Sequence, residues 1–252
     1  MPDRRNWTRD EEILAMALYC KVPFNKISKN NPQIIELAQQ LDRTPGSVGM
    51  KMGNLGRFDP ELIKRGIVGL QNGSKLDEIV WNEFYNNMEK LTESVKDASE
   101  RLGVSIFDEE IQIPLGATTE SEAEVRLTQG FFRDAVLSAY DDTCCITGIN
   151  IKSLLQACHI KPYRESDPVT ERTNPRNGLC LNALHHEAFD AGIITVDTDY
   201  FMLLSQEAKD RYSSTTFDEY FRKYEGKKIT LPNRFMPLKE MLEYHNQYVF
   251  KG

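Results

Sequence analysis

The sequence predicts an α+β protein with a mainly helical N-terminal part and a mixed C-terminal part. Apolar residues recur at helical spacing over much of the first 102 residues. Two short apolar segments between residues 154 and 182 favour strands, and a helical pattern follows them up to Gly192. We therefore divide the chain into a helical region (1–76), a long patterned helix (77–102), an acidic linker (103–120) and a C-terminal domain with flanking helices (121–252).

The first region contains three predicted helices. Thr8 and Glu11 form a capping box for "RDEEILAMALYCK". The segments "NPQIIELAQQLD" and "RTPGSVGMKMGNLGRFD" then predict two short helices joined by a turn. This pair is compatible with a helix-turn-helix that binds DNA through Ser47, Lys51 and Asn54 on its second helix. A small helical bundle that binds no DNA is the alternative.

Apolar residues in 77–102 alternate at spacings of three and four, which is typical of a coiled-coil seam. A coiled coil would make the protein a homodimer. The alternative is a long helix that packs across the core of its own chain. The seam residues are Trp81, Phe84, Met88, Leu91, Val95, Ala98 and Leu102.

Net charge and cysteine usage limit the class of protein. The formal charge of −7 is concentrated in residues 77–124, which contain thirteen Asp and Glu but three Lys and Arg. The flanking parts therefore remain able to bind a polyanion such as DNA. The chain has no apolar run long enough for a bilayer and no apolar segment behind its first charges. Five cysteines without a C-x-x-C pair predict reduced thiols, so we expect a cytoplasmic protein that does not enter a membrane.

Three of the four histidines lie between Ala157 and Gly192, in a predicted strand–loop–strand–helix. Hydrolysis of a phosphodiester needs a base that activates water and a divalent ion that stabilises charge. His159 at a strand end is the candidate base, with its other ring nitrogen held by a backbone carbonyl. His186 on the helix is a candidate metal ligand, and Asp190 lies one turn further on the same face. Asn177 is placed to tie the loop across the site.

The motif "CCITG…LLQACHIKPY…NPRNGLCLNALHHEAFDAGIIT" resembles the HNH endonuclease family of ββα-metal nucleases. The resemblance covers roughly residues 126–196. It implies that His159 is the general base, Asn177 the middle asparagine and His186 a metal ligand. It further implies a metal-dependent DNA endonuclease, of the kind found in restriction or phage defence. The expected cofactor is one divalent ion per site, with Mg²⁺ first and Mn²⁺, Ni²⁺ or Zn²⁺ as alternatives.

Cys158 departs from the family pattern. Many members have Asp or His immediately before the first histidine as a second metal ligand, and a thiol suits softer ions better than Mg²⁺. Either Cys158 binds the ion, or it packs inward and a carboxylate such as Asp190 replaces it. Candidate contacts to the nucleic acid are His185, Arg126, Gln129, Arg133, Lys161 and Arg176.

Two other functions remain open from the sequence. One is a DNA-binding regulator whose nuclease core is silent. The other is a ribonuclease, because contacts to the phosphate backbone carry no sequence information and do not fix the sugar.

Overall fold

The structure is a computed structural model that describes residues 5–67, 73–104 and 120–252, with side chains in the last range from residue 127 onwards. The chain forms two compact units, Met1–Ser138 and Ala139–Gly252. This division comes near the end of the helix Glu120–Ala139, whereas the boundary expected from the sequence lies at the start of that helix. Most of the predicted acidic linker, residues 105–119, lies outside the described residues.

The described part of the first unit is helical. Its helices are α1 (Arg9–Lys21), α2 (Pro32–Gln40), α3 (Pro45–Gly56), α4 (Pro60–Lys64), α5 (Lys75–Phe84), α6 (Met88–Leu102) and α7 (Glu120–Ala139). Helix α1 is buried from Glu11 to Lys21 and packs against α3, α5 and α6. The predicted capping box is confirmed, because the Thr8 side chain accepts from the Glu11 N–H and the Glu11 carboxylate accepts from the Thr8 N–H.

The prediction of one long helix over 77–102 was wrong. Helix α5 ends at Phe84, and α6 begins after Asn87, whose side chain accepts a hydrogen bond from the Lys90 N–H. An asparagine in this position supplies the cap that starts a new helix, which the heptad pattern does not reveal. The seam residues from Trp81 to Ala98 are buried inside the unit, and only Leu102 is exposed. The seam therefore packs in its own chain, as the alternative interpretation held, and is not available for a coiled coil.

Helices α2 and α3 form the predicted pair of short helices joined by a turn. Lys51 on α3, however, is buried and lies beside two carboxylates of the same unit. Its Nζ lies 3.3 Å from Oε2 of Glu12 and donates to Oδ1 of Asp77. The interpretation of Lys51 as a DNA contact is therefore wrong. Ser47 and Asn54 are half-buried on the same helix, and their contact with DNA stays a prediction.

The second unit contains the predicted strand–loop–strand–helix. Strand β1 (Leu155–His159) pairs antiparallel with β2 (Gly178–Asn182), so that His159 lies opposite Gly178. Helix α8 (Ala183–Asp190) packs on both strands. The α+β class is thus confirmed. The unit continues with β3 (Ile194–Val196), β4 (Met202–Leu204), α9 (Gln206–Arg211), α10 (Thr215–Tyr220) and α11 (Lys239–Tyr248).

The C-terminal segment packs against the turn that follows α8. Gly192 has φ of 70°, and a Cβ atom there would come within 2.2 Å of the Val249 carbonyl oxygen. The Lys251 N–H donates to the Gly192 carbonyl over 3.1 Å. This close approach needs glycine, and it places the end of α11 beside the turn that follows α8.

Among the described helices, none is long and apolar enough to cross a membrane.

Candidate active site

A cleft of about 340 Å³ opens in the second unit at the end of β1. It lies between that strand end, α8, and the C-terminal segment, so it collects residues that are far apart in the sequence. Two of the three predicted chemical groups, His159 and His186, face it together with Asp190. The lining residues are Ala157, His159, Ile160, Pro162, Tyr163, His186, Asp190, His245 and Val249.

The His159 ring is held by a backbone carbonyl, as expected from the sequence. Its Nε2 lies 2.8 Å from the carbonyl oxygen of Arg172. A carbonyl only accepts, so Nε2 carries a hydrogen, and in the neutral ring the lone pair is on Nδ1. Burial lowers the pKa of His159, outweighing the opposing effects of the Arg172 carbonyl and Asp190. The Tyr163 ring packs edge-on against the imidazole, with 5.6 Å between the ring centroids.

Asn177 ties the loop between the two strands, as predicted. Its side chain is fully buried, and its Oδ1 accepts from the Lys161 N–H over 2.9 Å. Its Nδ2 lies 3.2 Å from the Lys161 carbonyl, 3.1 Å from the Ser166 hydroxyl and 3.3 Å from the Glu171 carbonyl. The loop is thereby fixed one residue before Arg172, whose carbonyl holds His159.

Arg172 also fixes the loop through its side chain, a role that was not predicted from the sequence. Its Nε donates to the carbonyls of Tyr163 (3.2 Å) and Ser166 (3.1 Å). Its guanidinium lies over the Tyr163 ring, 4.9 Å from the centroid. Both neighbours of the base, the Arg172 carbonyl and the Tyr163 ring, are therefore connected through one side chain. The polar loop "RESDPVTERTNPR" gives no periodicity from which this role is predictable.

Cys158, His186 and Asp190 form a group whose ligand atoms all lie within 4.8 Å of one another. The Cys158 Sγ is 3.5 Å from Oδ1 of Asp190, and Nε2 of His186 is 3.5 Å from Oδ2 of the same carboxylate. Burial raises the pKa of the Cys158 thiol well above its ordinary value, and the neighbouring Asp190 adds to this shift. The group contains thiol, imidazole and carboxylate donors, which fits a divalent metal ion.

His185 does not face the cleft. It is fully buried, and its backbone N–H and its Nδ1 each lie 3.1 Å from Oδ1 of Asn182, the residue that caps α8. Its ring packs against Phe221 and Tyr224. Burial lowers its pKa to about 4, so the ring is neutral near pH 7. The interpretation of His185 as a phosphate contact is thereby corrected, because consecutive residues of a helix point about 100° apart.

The remaining predicted substrate contacts are distributed over both units. Lys161 pairs with Glu171 over 2.6 Å, and Nε of Arg176 donates to the Met236 carbonyl over 3.2 Å. These two cations therefore already bind groups of their own unit. On α7 of the first unit, Gln129 is exposed and Arg133 is half-buried, whereas the side chain of Arg126 lies outside the described residues.

An antiparallel hairpin followed by a helix, with a histidine at the strand end and metal-ligating groups on the helix, is the arrangement expected of the ββα-metal nucleases. Residues 144–197 match the family model HNH_2, described as HNH endonuclease, which confirms the resemblance for that part of the chain. The matched segment contains all of the candidate base, asparagine and metal-ligating residues. The match indicates nuclease activity in general, of a family that uses a divalent metal and acts on DNA. No curated protein matches the sequence significantly.

Proposed function

We propose that this protein is a metal-dependent DNA endonuclease that hydrolyses phosphodiester bonds. One observation carries the proposal: His159, His186 and Asp190 line a single cleft, and the buried Cys158 lies beside Asp190 behind it. A base and a group of metal ligands within one cleft are the two requirements for activating water and stabilising the charge that develops on a phosphate.

His159 is the proposed general base. Its Nε2–H donates to the Arg172 carbonyl, which orients the ring, and Nδ1 takes the proton of the attacking water. Asn177 is a positioning residue, since it holds the loop that carries this carbonyl. His186, Asp190 and Cys158 would hold the divalent ion, which supplies stabilisation of negative charge on the phosphate and the leaving oxygen.

DNA contacts beyond the cleft are proposed on the first unit. Helix α3 offers Ser47 and Asn54, and α7 offers Gln129 and Arg133, with Arg126 earlier on the same helix. A role in restriction or phage defence, in the cytoplasm, is part of this proposal. The family match supports the action on DNA that such a role requires.

A homodimer is the proposed assembly, because one site of this kind cuts one strand and two sites make a double-strand break. The buried heptad residues do not provide the interface, so the dimer would use another surface. The molecular mass of the protein in solution tests the proposed homodimer. A monomer that linearises plasmid would contradict it.

The test uses supercoiled plasmid with Mg²⁺, Mn²⁺, Ni²⁺ or Zn²⁺, or with EDTA. We expect nicking or linearisation that requires an ion and is lost in His159→Ala. Gln156→Ala is the matched control, because Gln156 lies on the same strand with an exposed side chain. Equal cleavage by wild type and His159→Ala would contradict the proposal. DNA binding without cleavage would favour a silent regulator, and cleavage of RNA alone would favour a ribonuclease.

A further inference from the structure

We propose that the Cys158 thiolate is a metal ligand together with His186 and Asp190, so that the cleft binds a thiophilic divalent ion such as Zn²⁺ in preference to Mg²⁺. This inference rests on the proposed function, because it specifies the ion of the same site. It replaces the expectation of Mg²⁺ with one derived from the three donor atoms of this chain.

The distances within the group suit a tetrahedral ion. Zinc binds sulfur, nitrogen and oxygen at about 2.0 to 2.3 Å, so two ligands of a tetrahedron lie roughly 3.3 to 3.8 Å apart. Cys158 Sγ lies 3.5 Å from Oδ1 of Asp190, and His186 Nε2 lies 3.5 Å from Oδ2 of the same carboxylate. One ligand atom from each residue lies within 4.8 Å of the others, so shifts of about 1 Å bring the three into the tetrahedral range.

The chemistry of the donors selects the class of ion. Mg²⁺ favours octahedral oxygen ligands and keeps several waters, whereas this group offers one sulfur, one imidazole nitrogen and one carboxylate. Thiolate and imidazole are typical ligands of zinc-class ions. On binding, the Cys158 thiol loses its proton to solvent, and the S–H···Oδ1 contact with Asp190 is replaced by bonds to the ion.

One side of the Cys158, His186 and Asp190 group is exposed to solvent. Cys158 is fully buried on β1, whereas the His186 side chain is 25% exposed and the Asp190 side chain 55% exposed. Three protein ligands with an exposed side are typical of a catalytic zinc site, in which a water or the substrate takes the fourth place.

The thiolate bond can be observed without measuring cleavage. The other four cysteines are Cys20, Cys144, Cys145 and Cys180, and none of them belongs to the candidate metal group of the described residues. A sulfur-to-metal charge-transfer band from an ion in the cleft is therefore assignable to Cys158. Co²⁺ is a suitable probe, since it takes zinc sites and gives a sulfur-to-cobalt charge-transfer band in the near ultraviolet.

The experiment titrates Co²⁺ into the metal-free full-length protein. We expect the charge-transfer band in wild type and in Cys180→Ser, which removes a buried thiol of the neighbouring strand, and its loss in Cys158→Ser. Zn²⁺ should displace the band at equimolar amounts, and a large excess of Mg²⁺ should not. In Cys158→Ser the Zn²⁺ affinity should fall at least about tenfold, since even residues outside the ligand set change metal affinity by 10- to 100-fold.

His186→Gln is a second variant for the case that Cys158→Ser does not fold, and it should also abolish the band. Co²⁺ binding to wild type without the band, or a band unchanged in folded Cys158→Ser, would overturn thiolate ligation. Metal-dependent cleavage combined with either result would leave the nuclease proposal standing. The band without any cleavage would support the metal site and count against the nuclease.

Discussion

The Nε2 atom of His159 lies 2.8 Å from the backbone carbonyl oxygen of Arg172, and this hydrogen bond fixes the orientation of the proposed base. The carbonyl belongs to a polar loop that has no regular structure of its own. Its position depends on the Asn177 amide on one side and on the Arg172 guanidinium on the other. The orientation of the base is therefore set by residues that need not touch the substrate.

Replacing Arg172 by alanine should slow cleavage without removing the base. The substitution removes the hydrogen bonds to the carbonyls of Tyr163 and Ser166 and the stacking on Tyr163, so the loop that carries the 172 carbonyl loosens. We expect the cleavage rate to fall about 10- to 100-fold, the range typical of residues that orient an active group. Nicking kinetics measure this, with Arg164→Ala at an exposed loop position as control. A rate equal to wild type would show that Arg172 does not position His159.

Asn177→Asp should destabilise the second unit and slow cleavage. The carboxylate can still accept from the Lys161 N–H, but it cannot donate to the Lys161 carbonyl, the Ser166 hydroxyl or the Glu171 carbonyl. A buried polar group left unsatisfied costs about 1 to 3 kcal/mol, and more if it is charged. Chemical denaturation followed by circular dichroism measures the free energy of unfolding. An unchanged midpoint would contradict the inferred role of this amide.

Lys51→Met should destabilise the first unit. Lys51 is buried between Glu12 and Asp77, and burial together with Asp77 raises the pKa of Glu12 to about 8. With a pKa of about 8, Glu12 is mostly protonated at pH 7, so removing the cation leaves the buried Asp77 carboxylate without compensation. Such a loss typically costs about 3 to 5 kcal/mol. Lys75→Met, at an exposed position of α5, is the control and should change the stability little. If both variants unfold at the same denaturant concentration as wild type, the buried ion group is not stabilising.

The stability of the second unit should fall as the pH drops below about 6.5, in part because of His245. Its Nε2 donates to the Phe189 carbonyl over 3.1 Å, its Nδ1 lies 2.8 Å from the Thr195 hydroxyl, and burial lowers its pKa to about 4. Between its unfolded pKa of about 6.5 and its folded pKa the unfolded chain binds the extra proton, so acid favours unfolding. One such ring contributes at most about 1.4 kcal/mol per pH unit.

His245→Asn is the variant that tests this dependence. It should lower the stability at pH 7, because the stacking on Phe189 is lost, and it should flatten the slope between pH 6.5 and 4. Unfolding free energies at several pH values provide the measurement. A slope identical to that of wild type would show that His245 takes up its proton equally in the folded and unfolded states.

The sequence predicted the strand–loop–strand–helix because each of its parts has a local signal. The two strands are short apolar segments, the segment after them has a helical pattern, and Gly192 ends the helix with a positive φ. The positions of His159, Asn177 and His186 follow from these elements. The break between α5 and α6 was missed, because the heptad spacing of the apolar residues continues across the Asn87 cap.

Contacts between distant residues could not be predicted from local patterns. Lys51 is a charged residue in a predicted helix, so the sequence favours a side chain that is exposed to solvent or contacts DNA. Only the fold places Glu12 and Asp77 beside it. For the same reason, the sequence left open whether Cys158 packs inward or binds an ion. Its distance to Asp190 depends on how α8 packs on β1, and the spacing of apolar residues does not predict that packing.

The role of His159 as the base of a metal-dependent nuclease can be measured through the cleavage rate of a labelled DNA duplex. The rate is compared for wild type and His159→Ala, with and without added imidazole. We expect ion-dependent cleavage by wild type, its loss in the variant while ion binding persists, and partial recovery when imidazole replaces the missing ring. Cleavage by His159→Ala at the wild-type rate, in the same ion and without imidazole, would contradict it.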